Sequence, residues 1–102
     1  MNASNLRDEV YRLMSQLPQG NVTTYGDIAS FVGSPQAARI VGGIAHGGPD
    51  TLPWHRLVYA NGHLAIGFPG GIEVQRQLLA QDGIICDEEG AIANFSAIRW
   101  KR

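Results

Sequence analysis

Residues 24–46, TYGDIASFVGSPQAARIVGGIAH, are broken once, at Gly33-Ser34-Pro35, and no other stretch limits the fold as much. Before the break, Thr24 can cap a short helix with Ile28, Phe31 and Val32 on its apolar side, and Gly33 is placed to end it. After it, Ser34 offers a cap with Pro35 at the first helical position, which starts a helix running to about His46. Two short helices joined by a tight glycine-containing turn are the outline of a helix-turn-helix. Many helical domains contain such corners, so the side chains around this one must say what it is for.

The flanking patterns predict the rest of the frame. Leu6, Val10, Leu13, Met14 and Leu17 recur at helical spacing, with Ser4 or Asn5 as cap, Asp8 and Glu9 near the positive end and Pro18 beyond the close. Residues 58–65 predict a hairpin in which Asn61-Gly62 forms a type I′ turn. Residues 67–71 form a shaped loop, and a helix follows over 72–81 with Val74, Leu78 and Leu79 inward. A second small hairpin pairs 84–86 with 91–93, and Trp100 folds back on the core. The expected architecture is mainly α with small β-hairpins, a winged-helix-like helix-turn-helix. A chain of 102 residues suits one such domain, spanning residues 1–102, and not two.

Composition excludes several classes. With 44% apolar and 17% charged residues, the chain can bury a real core. No apolar run is long enough for a bilayer, and MNASNLRDEVYR has acidic residues where a signal peptide needs an apolar run. A cytoplasmic protein with no membrane partner is expected. Cys86 is the only cysteine, which rules out an intramolecular disulfide and a cysteine zinc site. His46, His55 and His63 lack metal-motif spacing, and no cofactor is expected. A net charge of -1 argues against a partner held by bulk electrostatics, so a nucleic-acid ligand would have to be met by local positive groups. Lys101 is the only lysine among eight basic residues; the rest are arginines, which stack and make forked hydrogen bonds.

The helix after Pro35 is two-faced. At 100° per residue, Ala37, Ile40, Val41 and Ile44 share one side, while Gln36, Arg39, Gly42, Gly43 and His46 share the other. Two glycines inside a helix cost about 1 kcal/mol each against alanine. Either they leave a smooth surface beside Arg39 for another backbone, such as a phosphodiester chain, or they mark a fraying end. Residues 52–57, LPWHRL, set Trp54, His55 and Arg56 on a proline-stiffened loop, yet none of the three is an ordinary nucleophile.

The motifs TTYGDIA, SPQAARIVGG, PWHRL, the Asn-Gly hairpin, GFPGG and QLLAQDG follow one another in that order. Together they resemble the DNA-binding domain of the O6-alkylguanine-DNA alkyltransferases over roughly residues 6–83. Those enzymes carry P-C-H-R-V, whose cysteine takes the alkyl group from guanine. Trp54 stands in its place, which is the mark of the alkyltransferase-like proteins that bind alkylated DNA without repairing it. The resemblance implies that residues from Pro35 to about His46 are a recognition helix lying in the minor groove. It makes Arg39 a finger that replaces the extruded base, and Tyr25 the group that presses on the phosphate and helps rotate the nucleotide out. DNA contacts would come from Thr24, Tyr25, Pro35, Gln36, Arg39, Gly42 and Gly43. The lesion pocket would comprise Tyr25, Trp54, His55, Arg56, Val58 and the closing loop with Gly67, Phe68 and Pro69. Asp82 matches the carboxylate that orients the histidine. The implied partners are double-stranded DNA containing O6-alkylguanine and, downstream, nucleotide excision repair proteins; the implied state is a monomer that is not an enzyme.

Elementary chemistry supports parts of this reading. A guanidinium can fill the gap left by a flipped base and pair with the orphan cytosine. An indole nitrogen is a donor only and cannot accept an alkyl group, whereas its flat face can pack against a purine. Cys86, in an apolar stretch followed by acids, is expected to have a raised thiol pKa and a structural role. The chain departs from the enzymes at residues 46–50, where a hinge asparagine is missing and the segment is shorter. It also carries Phe68-Pro69 where they often have tyrosine and serine; Pro69 has no N–H to offer the guanine O6. The pocket is therefore expected to read shape and to tolerate alkyl groups of differing size. Two other functions are compatible with the residues: a residual alkyl-removing enzyme using His55 and Asp82, and a regulator reading undamaged sequence. For the second the recognition helix offers chiefly Gln36 and Arg39.

Overall fold

Helix α1 spans Ala3–Gln16 and turns Val10, Leu13 and Met14 inward, each almost fully buried, against Ile28, Ala29, Val41 and Leu57. Burying such side chains contributes roughly 1.5–3 kcal/mol apiece, so this first core holds the helix-turn-helix to α1. The computed structural model describes residues 3–102, with side chains from Leu6 onward. Because α1 starts at Ala3, Ser4 and Asn5 lie inside its first turn and not at its cap, and Asp8 and Glu9 sit beyond that turn.

A two-residue strand β1 (Thr23–Thr24) leads into α2 (Tyr25–Phe31). Thr24 caps α2 as expected, its hydroxyl accepting the Asp27 N–H at 3.0 Å, and Gly33 (φ +80°) ends it. Ser34 makes no side-chain cap; Pro35–Ala37 is a single 3-10 turn before α3 (Ala38–His46). Proline's fixed φ suits that tighter turn as well as it suits a helix start. On α3, Val41 is buried but Ile40 is 54% exposed, so the apolar face is narrower than the helical wheel suggests.

After a 3-10 turn at Trp54–Arg56 comes β2 (Leu57–Val58), which pairs in parallel with β1: Thr23 opposite Leu57, Thr24 opposite Val58. This short sheet carries no alternating pattern and was not expected, yet it positions the site. The residues that follow each strand, Tyr25 and Tyr59, emerge side by side with ring centroids 6.0 Å apart. The expected type I′ hairpin is instead a turn centred on Ala60 and Asn61, with the Gly62 N–H donating to Tyr59 O at 2.9 Å and Gly62 at φ +82°. Asn61 does not take the positive φ that type I′ demands; a type I turn followed by a bulge glycine does the same work. Beyond it, His63 bridges Ala91, not a long partner strand. The second hairpin is present as one bridge, Cys86 opposite Ile92.

Helix α4 (Ile72–Gln81) and the short α5 (Phe95–Ile98) close a second core of Val22, Val58, Leu64, Leu79, Ile84 and Ile92. Val74, expected inward on α4, is 38% exposed, and the fully buried side chains on that helix are Leu79, as expected, and the polar Gln75. Its Oε1 accepts the Ala65 N–H at 2.8 Å, and its Nε2 donates to His55 O and Leu57 O at 3.0 and 3.1 Å. One amide thus ties the Trp54 loop to the loop leading into Phe68. Gln75→Leu leaves three buried backbone groups unpaired at about 1–3 kcal/mol each. Urea denaturation is expected to show a loss of at least about 3 kcal/mol; a loss under about 1 kcal/mol would show that the loops do not depend on this tie.

Trp100 folds back as expected, its ring edge-on to Phe31 at 5.7 Å. Arg99 grips Asp27 with two hydrogen bonds of 2.7 Å, and Arg102 lies over the Trp100 ring. Among the described residues, no helix is long and apolar enough to cross a membrane.

Candidate nucleic-acid interface

Between α3 and the loops at 54–57 and 67–69 opens a cleft of about 680 Å³. That size falls among small-molecule sites and is ample for one nucleobase with a substituent. Helical spacing brings Arg39, Gly42 and His46 to its α3 wall, because residues three and four apart share a face. Tyr25 and Tyr59 form one end, while Trp54, Phe68 and Pro69 line the rest. A Cβ on Gly42 would stand 3.8 Å from the Tyr25 ring, an ordinary van der Waals contact, so α3 packs beside that tyrosine without requiring glycine there. Burial, reinforced by Tyr59, pushes the Tyr25 hydroxyl above its ordinary value. It therefore stays protonated at physiological pH and can donate to a phosphate oxygen. Tyr59 accepts the Ile66 N–H at 3.1 Å, which fixes the start of the closing loop. The Gly70-Gly71 pair that ends this loop sits at φ +90° and +85°, a region that side chains rarely adopt.

Trp54 is half-buried, and its Nε1–H donates to Pro49 O at 2.9 Å while Tyr11 meets its ring edge-on at 6.0 Å. With the N–H taken, what the ring brings to the cleft is apolar surface. His55 and Arg56 line an adjoining cleft that shares Trp54, Phe68 and Pro69 with the first. His55 Nε2 lies 2.8 Å from Asp82 Oδ2, and Arg56 reaches both carboxylate oxygens at 2.8 and 3.3 Å and Leu17 O at 3.4 Å. Burial would raise the Asp82 carboxyl, but hydrogen bonds from Arg56 and His55 outweigh it and hold the group below the usual carboxylate range. Asp82 caps the end of α4, so the three residues clamp the Trp54 loop to that helix.

The pocket expected from sequence is thus redrawn. Tyr25, Trp54, Gly67, Phe68 and Pro69 come together at the cleft; His55 and Arg56 line only the adjoining one, of about 770 Å³, their polar ends committed to Asp82. Val58 is fully buried in the second core and has no exposed surface to contribute. Thr24 is 1% exposed with its hydroxyl used in the cap, so its side chain serves the fold. Pro35, Gln36, Arg39 and Gly43 lie on the exposed surface, and Arg39 makes no ion pair or hydrogen bond with another described residue. Sequence reasoning missed Tyr59, Leu57, Ala38 and Ala45 at the cleft. Only recognition of the parallel β1–β2 register would have found Tyr59. Cys86 lies outside the cleft, half-buried; burial pushes its thiol up and Arg76 offsets this only in part. Among the described residues, no group of three metal-ligating side chains could hold an ion.

Gly43 resolves one open question. It lies within α3, not at a frayed end, and a Cβ there would meet nothing within 4 Å. Gly43→Ala should stabilise the isolated protein by about 0.5–1 kcal/mol through helix propensity alone. If another backbone approaches this face, the same change weakens DNA binding; thermal melting together with DNA titration checks both signs.

A two-helix corner whose second helix presents a guanidinium and bare backbone at the mouth of a base-sized cleft defines a helix-turn-helix DNA-binding domain. The chain belongs to the family of the 6-O-methylguanine DNA methyltransferase DNA-binding domain, whose model matches residues 5–84. It is 41% identical over 93 residues to the DNA base-flipping protein of Escherichia coli (strain K12), covering 89% of this chain and 70% of that protein. It is 34% identical over 87 residues to Alkyltransferase-like protein 1 of Schizosaccharomyces pombe, covering 82% of this chain and 81% of that one. Among solved structures, S. pombe Atl1 in complex with damaged DNA containing O6-carboxymethylguanine matches with a TM-score of 0.86 at 30% identity, over the whole of both chains. Mycobacterium tuberculosis OGT in complex with DNA matches with a TM-score of 0.72 at 34% identity, over 78% of this chain and 49% of that one.

Proposed function

We propose that this protein is a non-enzymatic sensor of O6-alkylguanine in duplex DNA. The recognition helix α3 enters the minor groove, the alkylated nucleotide rotates into the cleft, and the base rests beside Trp54 without losing its alkyl group. The observation that carries this reading is Trp54 itself: an indole lines the cleft where an acceptor thiolate would be needed for transfer. The likeness to a base-flipping protein and to a complex with O6-carboxymethylguanine DNA supports it.

Each residue then has a physical task. Extruding a base costs a few kcal/mol. Arg39 offsets this by filling the gap and pairing with the orphan cytosine. Tyr25 donates its hydroxyl to the flanking phosphate, and Phe68 closes the cleft as an apolar wall. With the Trp54 N–H taken by Pro49 and no N–H on Pro69, the lesion is recognised by shape and stacking, so methyl and bulkier O6 substituents both bind. The protein acts as a cytoplasmic monomer and, unable to remove the lesion, passes it to nucleotide excision repair proteins.

The competing reading is an enzyme in which His55 and Asp82 activate water. Their 2.8 Å contact is compatible with it, and His55 lines the adjoining cleft, but both belong to the clamp with Arg56 and neither borders the cleft that holds Tyr25 and Arg39. Incubation with a duplex carrying a radiolabelled O6-methyl group decides between them. The label should stay on the DNA; label on protein or released as methanol would overturn the sensor reading.

A further inference from the structure

We infer that Gly48 is a positioning residue for Trp54: its lack of a side chain creates the seat that aims the indole at the cleft. This inference rests on the reading of Trp54 as the surface that receives the flipped base.

The backbone of Gly48 does not need glycine for its conformation. It is absent from the glycines at positive φ, so any residue could adopt its geometry. Space supplies the reason instead. A Cβ on Gly48 would overlap Trp54 Cζ2 and stand 2.6 Å from Cε2 and 2.8 Å from Nε1. These are ring atoms at the far edge of a rigid bicycle, which cannot bend away as a flexible chain end can. The ring is also held from other directions: Nε1–H donates to Pro49 O at 2.9 Å, and Tyr11 packs against it edge-on. Gly48 is itself anchored, its N–H donating to Ala45 O at 3.2 Å just past the end of α3. A methyl group on Gly48 must therefore displace either the indole or the end of the helix that carries Ala45 and His46, and both border the cleft. Gly47 is the natural control. It also lacks a positive φ, and a Cβ there would meet nothing within 4 Å.

The test compares wild type with Gly47→Ala, Gly48→Ala, Trp54→Ala and the Gly48→Ala/Trp54→Ala double variant. Each is titrated with one duplex bearing a single O6-methylguanine and with the same duplex bearing guanine. Far-ultraviolet circular dichroism follows folding, and NMR follows the indole N–H signal. Base–aromatic stacking has a worth that corresponds to about ten- to hundredfold in affinity. Gly48→Ala is expected to lose lesion preference by about that factor, as Trp54→Ala does, with the Trp54 N–H signal shifted and helix content kept. Gly47→Ala should behave as wild type, and the double variant should be no worse than Trp54→Ala. Preserved preference in Gly48→Ala alongside a loss in Trp54→Ala would overturn the positioning role alone. Preserved preference in Trp54→Ala would instead sink the reading of Trp54 as the lesion surface. If Gly48→Ala fails to fold, a folded double variant supports the clash with the indole, and an unfolded one refutes it.

Discussion

Arg39→Ala should abolish discrimination between damaged and undamaged duplex while leaving the protein folded. Arg39 is exposed at the mouth of the cleft and holds no other described residue, so truncating it should change stability by no more than about 0.5 kcal/mol. In the proposed complex the same guanidinium fills the gap in the stack and pairs with the orphan cytosine. A forked contact to a base is worth about 1–3 kcal/mol, so lesion affinity should fall by roughly ten- to hundredfold toward the value for plain duplex. Arg39→Lys should recover little of it, because an ammonium neither stacks nor makes a planar fork. Fluorescence anisotropy with both duplexes measures the effect. An Arg39→Ala variant that still prefers the lesion would show that the gap is filled by another group.

The second large effect concerns stability. Asp82 and Arg56 are 8% and 13% exposed, and Asp82 also accepts from Gln19 at 3.2 Å and faces His55. Asp82→Asn preserves shape but strands a mostly buried guanidinium. Breaking such a pair costs about 3–5 kcal/mol, which should appear as a lower urea midpoint with an unchanged slope. The pH dependence has a definite sign. The folded Asp82 carboxyl titrates below its unfolded value of about 3.9, so its contribution is fully present above that pH and fades as pH falls through the lower folded value. The stability gap between wild type and Asp82→Asn should therefore be constant near neutrality and shrink below about pH 4. A gap that persists unchanged to pH 3 would mean that the carboxylate charge is not what holds the clamp.

Helices were largely legible in the sequence because they follow local rules, although of the expected caps Thr24 forms and Ser34 does not. The apolar spacing from Leu6 to Leu17, the Thr24 cap and the Gly33 stop each depend on residues within a few positions. The cleft residues Tyr25, Trp54, Phe68 and Pro69 were legible through ordered motifs, not through periodicity. What escaped depends on contacts between distant segments. Two-residue strands carry no period, so the β1–β2 pairing that sets Tyr59 beside Tyr25 left no trace. Nothing in the sequence singled out Gln75, whose amide is buried by bonding backbone groups of two separate segments, His55 and Leu57 in one and Ala65 in the other. Arg56 looked available to a ligand, but a carboxylate 26 positions away in the chain consumes it. The close fit of the Trp54 ring against Gly48 likewise depends on a contact that no local pattern announces.

The central claim is that this fold prefers an alkylated guanine and holds it unrepaired. It is tested most directly by titrating the wild-type protein with one fluorescent duplex containing a single O6-methylguanine and with its guanine counterpart. The proposed function predicts clearly tighter binding of the damaged duplex, with the O6-methylguanine recovered intact from the complex. Equal, weak binding to both duplexes would contradict it and leave a family fold without the family's ability to recognise a lesion.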